Sequence, residues 1–232
     1  MKSPRMLTLL VASASLALAG GAQAASLSFT GTFAKDDDVQ LFNFTVATTS
    51  MVTLVSWSYA GGVNAAGATI PEGGFDPILT LFAADGTFIA RNDDGGDGDP
   101  VGSCPVAASA VTQAEFDTCF ESQLDPGDYI VAVQQFDNFS LGDLSDGFTR
   151  AGGPNFTARF GCTNGQFCDV AQLVTDENGD PISGTSFSRT NAWAFDIVNV
   201  DEATVVPLPP TVWFLATGIG GLVLRSRRRA SN

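Results

Sequence analysis

From residue 92 the chain reads Asn92-Asp93-Asp94-Gly95-Gly96-Asp97-Gly98-Asp99, five oxygen-bearing side chains in eight positions, interleaved with three glycines. Carboxylate and amide oxygens are what a hard divalent cation takes, and calcium prefers six to eight of them. Glycine lets so short a loop curl. Four carboxylates brought together repel one another, and a cation between them relieves that repulsion. No register supplies the aspartates, the glycine and the twelfth-position glutamate of an EF-hand. The pattern is therefore that of an irregular calcium loop holding Asn92, Asp93, Asp94, Asp97 and Asp99 or, more plainly, a solvated acidic turn.

Two other acidic clusters read differently. Asp176-Glu177-Asn178-Gly179-Asp180 suits a hairpin turn on Asn178-Gly179, with Pro181 where a calcium loop needs its sharp-turn glycine. Asp36-Asp37-Asp38 is expected in an exposed turn between the first two strands. The chain has no histidine, which removes Ser-His-Asp and Cys-His catalysis. Carboxylate pairs could still hydrolyse glycosides, but among 25 acidic residues some pair meets the required spacing by chance. The reading is a non-enzymatic protein.

Four cysteines without histidine or a Cys-x-x-Cys pair disfavour zinc and suit disulfides in an exported protein. Three connectivities are open, and local pairing of Cys104 with Cys119 and Cys162 with Cys168 is the natural one. Trp57, Tyr59 and Trp193 could form a sugar platform, but eighteen phenylalanines against two tyrosines favour core filling.

Both chain ends read as addresses. Lys2 and Arg5 precede an apolar stretch from Met6 to Ala19 and a small-residue site at Ala22-Gln23-Ala24, so residues 1–24 read as a signal peptide. At the other end Val206-Pro207-Leu208-Pro209-Pro210 is followed by apolar residues 211–224 and an Arg-rich tail, 225–232. A helix over 211–224 rises about 21 Å, short of a hydrocarbon core of roughly 30 Å. It makes a weak, single transmembrane anchor, with its arginines kept on the cytoplasmic side. Pro207 and Pro209 impose extended geometry and remove backbone donors, so the motif is expected to stand open to a processing enzyme.

What remains for a fold is residues 25–205. They hold all 25 acidic residues and only Lys35, Arg91, Arg150, Arg159 and Arg189 as basic ones, a formal charge of −20 against −14 for the whole chain. Such a surface excludes nucleic acid as a partner and meets anionic polymer only through cations. Short alternating or β-branched runs predict strands over 27–33, 39–46, 51–59, 77–83, 87–91, 115–124, 128–136, 155–160 and 191–200. Phe42, Phe44 and Val46 share one face; Asp85-Gly86 makes a hairpin turn. Strands at this spacing predict an all-β, antiparallel sandwich.

Two resemblances extend this reading. Val206-Pro207-Leu208-Pro209-Pro210, apolar helix and Arg-rich end together resemble the PEP-CTERM sorting signal in its Val-Pro-Leu-Pro-Ala subclass, with Pro210 in place of the usual alanine. The resemblance implies an exosortase-type membrane enzyme as partner and transient membrane insertion. It further implies an inner-membrane-anchored intermediate, then delivery to the cell surface or exopolysaccharide matrix of a Gram-negative bacterium.

Residues 26–139 resemble the bacterial pre-peptidase C-terminal domain, a jelly-roll-like sandwich. The ordered motifs are Phe29-Thr30-Gly31-Thr32-Phe33, Asp38 to Phe44, Phe75 to Phe82, Asp85-Gly86, Asn92 to Gly95 and Leu124 to Tyr129. The insert 97–114 and the stretch 140–190 depart from that pattern. This second resemblance adds Asp76 to the calcium ligands. The function so implied is that of an exported surface or matrix protein associated with anionic exopolysaccharide. A calcium-dependent carbohydrate-binding module is the alternative.

Overall fold

The computed structural model describes residues 25–95, 104–175 and 181–207. The signal peptide, Asp97, Asp99, the turn at 176–180, Leu208-Pro209-Pro210 and the anchor helix at 211–224 lie outside the described residues. Among those described, no helix is long and apolar enough to cross a membrane.

The chain is all-β. Its strands are β1 (Ala25–Thr32), β2 (Gln40–Val46), β3 (Ser50–Ser56), β4 (Gly62–Val63), β5 (Thr69–Ile70), β6 (Pro77–Ala83) and β7 (Phe88–Asn92), followed by β8 (Cys119–Leu124), β9 (Gly127–Gln135), β10 (Cys168–Thr175), β11 (Pro181–Ser188), β12 (Ala192–Val200) and β13 (Glu202–Val205). Two antiparallel sheets, β1-β12-β3-β8 and β13-β2-β9-β6-β7, face each other across one core. Two-stranded pairs β4-β5 and β10-β11 lie outside them.

Period-two alternation decides which side chains meet in the middle. Phe42, Phe44 and Val46 of β2 point inward with Val131 and Val133 of β9, Leu79 and Leu81 of β6, and Trp193, Phe195 and Ile197 of β12. Phe42 packs edge-on to Phe195, ring centroids 4.8 Å apart, and Phe33 stacks on Phe75 at 5.1 Å. Phenylalanine thus serves as core filling, each ring contributing about 2–3 kcal/mol when fully buried. At Asp85-Gly86, Gly86 takes φ 88° and closes the β6–β7 hairpin, while Asp85 accepts a hydrogen bond from Thr87 N at 2.9 Å.

Several expectations give way. The run Asn155–Phe160 is not a strand: Phe156–Phe160 forms a 3-10 turn, ended by Gly161 in the left-handed region. Its conformation is fixed by Asp36, whose carboxylate accepts from Thr157 N (2.9 Å) and Thr157 Oγ1, so a tertiary contact overrides local β character. Asp36 itself is fully buried rather than in an exposed turn. β3 stops at Ser56 and β8 starts only at Cys119, because residues 57–60 and 116–118 turn to meet each other. The pairing of β10 with β11 and the short β13 lie beyond the expected strands. Val206 N–H donates to Leu41 O at 2.9 Å, extending the β13–β2 ladder by one residue at the sheet edge. Pro207, with no N–H to donate, ends it and is exposed.

Candidate metal centre

Asp76, Asp93 and Asp94 come together at the open end of the β6–β7 hairpin. In the antiparallel register Leu79 pairs with Asn92, so residues just before β6 come level with residues just after β7. One carboxylate oxygen from each of the three aspartates lies within 4.8 Å of the others. Calcium ligands sit at 2.3–2.6 Å, so two oxygens of one ion are at most about 5 Å apart. The spacing therefore fits a single calcium.

Asp76 is the member that water does not serve. It is 5 % exposed, and its Oδ1 accepts no hydrogen bond. Burial, then the neighbouring carboxylates of Asp93 and Asp94, push its carboxyl well above the usual range. A buried acceptor left unmet costs of order 1–3 kcal/mol, and a charged one more. A cation bound between the three residues removes both penalties. Asp93 and Asp94 are only half-buried, which leaves a side from which water could complete the coordination.

The backbone around the three carboxylates is held from one short segment, residues 117–119. Thr118 Oγ1 lies 2.7 Å from Pro77 O and 2.8 Å from Asp93 O, bridging the two limbs of the hairpin. Cys119 N donates to Asn92 Oδ1 at 3.2 Å, and Gly95 N donates to Asp117 O at 2.8 Å. Asn92, expected as a ligand, is buried and uses its side-chain oxygen in this way. The segment is fixed in turn by β3: Ser56 Oγ donates to Asp117 Oδ1 (2.6 Å), and Thr118 N donates to Ser56 Oγ (2.8 Å).

Two further buried carboxylates lie close enough to raise the Asp76 carboxyl, and the sequence did not single them out. Asp117 accepts backbone N–H groups from Tyr59 (3.1 Å) and Ala60 (2.8 Å); burial raises its carboxyl, against the pull of those donors. Asp169 accepts the Tyr59 hydroxyl, and burial followed by that bond pushes the Tyr59 phenol up. Arg189 supplies a buried positive charge there, its guanidinium 3.7 Å over the Tyr59 ring and its Nε donating to Gly74 O at 2.8 Å. A lone arginine between Ser188 and Thr190 was the available signal: a long cation among short polar residues near a strand end.

The other acidic candidate is structural. In the 36–38 turn, Asp38 accepts from Ala34 N (2.7 Å) and Lys35 N (2.9 Å), Asp37 from Gly152 N (2.9 Å), and Asp36 from Thr157 and Phe167 N (2.7 Å). Each of these carboxylates accepts at least one backbone hydrogen bond, although Asp37 Oδ1 itself accepts none. Of the three aromatics that could face a sugar, Tyr59 and Trp193 are buried, and Trp57 is half-buried with its Nε1–H bound to Asp196 Oδ2 at 2.8 Å. Trp193 covers Gly31 so closely that a Cβ there would come within 2.3 Å of its ring.

Both disulfides are local: Cys104–Cys119 and Cys162–Cys168, with Cα atoms 5.1 and 5.4 Å apart. A bridge closing a loop of this size stabilises by roughly 2–3 kcal/mol. No protein-family model, curated protein or solved structure matches the chain.

Proposed function

We propose that this is an exported, non-enzymatic surface or matrix protein, whose acidic jelly-roll-like sandwich holds a structural calcium ion and associates through cations with anionic exopolysaccharide. The observation that carries it is Asp76: a buried carboxylate with an unmet oxygen, facing two further carboxylates at calcium spacing. On a domain of formal charge −20, the same ions that fill this site can bridge surface carboxylates to polymer. Calcium would supply positive charge there and take its oxygen ligands from the chain. Asp76, Asp93 and Asp94 hold it, with Asp97 and Asp99 following in sequence.

Delivery rests on the two ends of the chain. The signal peptide exports it, the short helix holds it in the inner membrane, and an exosortase-type enzyme removes the tail at the Val206–Pro210 motif. Pro207, exposed directly after the last ladder bond, gives that enzyme a fixed starting point at the sheet edge. The carbohydrate-module alternative loses two of its three aromatic candidates to the interior.

Binding to the host's purified exopolysaccharide tests this reading. Retention in millimolar calcium that is lost on chelation supports it, whereas no retention, or retention indifferent to chelator, overturns it. Deleting the exosortase should leave the tail attached; unchanged tail removal would refute the sorting route.

A further inference from the structure

The Cys104–Cys119 bond ends on the segment that positions the candidate ligands. Cys119 is the residue whose N–H holds Asn92, next to Asp93, and its neighbour Thr118 reaches the carbonyls of both Pro77 and Asp93. On the other side of the bridge, Cys104 N donates to Cys119 O at 3.0 Å. Two residues on, Val106 presses against Gly95, where a Cβ would lie 2.4 Å from Val106 Cγ1. Gly95 directly follows Asp94. The bridge therefore clamps residues 92–95 between Val106 and residues 117–119. Ser109 and Thr112 fasten the 104–118 segment further along, to Glu72 and Tyr59. Cys162–Cys168 is placed differently, through Cys168 N to Thr157 Oγ1 (3.1 Å) and so to Asp36.

Resting on the calcium reading above, we propose that the Cys104–Cys119 disulfide and the cation site are coupled. The closed bridge holds Asp93 and Asp94 in register with Asp76 and raises cation affinity. A bound cation in turn makes that bridge harder to open. Linkage requires the two effects to be equal in size. Opening is a two-electron step: a dithiol gives up two electrons and two protons and becomes a cyclic disulfide. The Cys104–Cys119 sulfur–sulfur bond breaks, and each sulfur takes one proton. Cys104, half-buried, offers the side from which the dithiol attacks. Such a site would hold its ion where the protein is oxidised and release it where dithiols prevail.

The test is the equilibration of the full-length chain in buffers of reduced and oxidised dithiothreitol, with calcium or with chelator, followed by alkylation and mass mapping of each cysteine pair. Saturating calcium is expected to raise the ratio of reduced to oxidised dithiothreitol needed to open half of Cys104–Cys119 about tenfold, within the 5–150-fold range usual for coupled sites. Cys162–Cys168 serves as the internal control and should change less than about twofold. Calcium calorimetry on the wild type and on the C104S/C119S variant completes the experiment, with affinity expected to fall by the same factor. Calcium binding without selective protection of Cys104–Cys119 overturns this inference and leaves the calcium reading standing. No calcium binding to the oxidised protein overturns both.

Discussion

Asp36 and Asp76 are both buried aspartates, and their surroundings differ. Asp36 is met by Thr157 N, Thr157 Oγ1 and Phe167 N, whereas Asp76 Oδ1 is met by nothing and faces two more carboxylates. The first is a structural knot that fastens the 154–168 segment to the sandwich. The second is a place where a positive charge is wanted. Burial and negative charge alone do not separate ligand from strut; the count of donors around the carboxylate does.

The largest effect should come from breaking the knot. Asp36→Ala leaves its buried donors unmet, and we expect a loss of roughly 3–5 kcal/mol in urea unfolding, equal with and without calcium. Next in size is the ion itself: calcium at a hundredfold its Kd should stabilise the wild type by about 2.7 kcal/mol, read as a rise in Tm. Asp76→Asn should remove that increment, yet leave the calcium-free protein as stable as before or more so, because it takes away a buried carboxyl that the fold raises. An Asp76 variant that weakens the protein as Asp36→Ala does would erase the distinction. Thr157→Val, which removes one donor to Asp36 and the acceptor of Cys168 N, should cost about 1–2 kcal/mol, again without calcium dependence.

The smallest effect belongs to Glu72, a carboxylate answered near the surface. Its carboxyl is held below its ordinary value of 4.5, first by the Ser109 hydroxyl and also by Val111 N. A carboxyl depressed by folding contributes its full share above the ordinary value and loses it as pH falls through the folded one. Hydrogen-exchange protection at residues 109–113, corrected for the intrinsic rate at each pH, should therefore fall as pH drops below the ordinary carboxylate range, and Glu72→Gln should flatten that change.

The sequence made much of the fold legible. Alternation placed Phe42, Phe44 and Val46 on the core face, and Asp85-Gly86 marked a hairpin, because period and turn chemistry are local. It also brought Asp93 and Asp94 forward as candidates, and the second of the two resemblances added Asp76. Non-local contacts were the hidden part. Nothing in Asp36-Asp37-Asp38 announces the Thr157 and Phe167 donors more than 120 residues away. For the same reason Phe156–Phe160, apolar enough for a strand, turns instead against Asp36. Asp117 and Asp169 look like surface acids beside cysteines, and only the folded chain shows them buried next to Asp76.

Calcium calorimetry on the full-length wild type, Asp76→Asn and Asp36→Asn tests the central claim most directly. The account predicts binding to the wild type, loss of it in Asp76→Asn, and retention in whatever fraction of Asp36→Asn remains folded. Absence of binding to the wild type at millimolar calcium, or binding that survives Asp76→Asn unchanged, would contradict it.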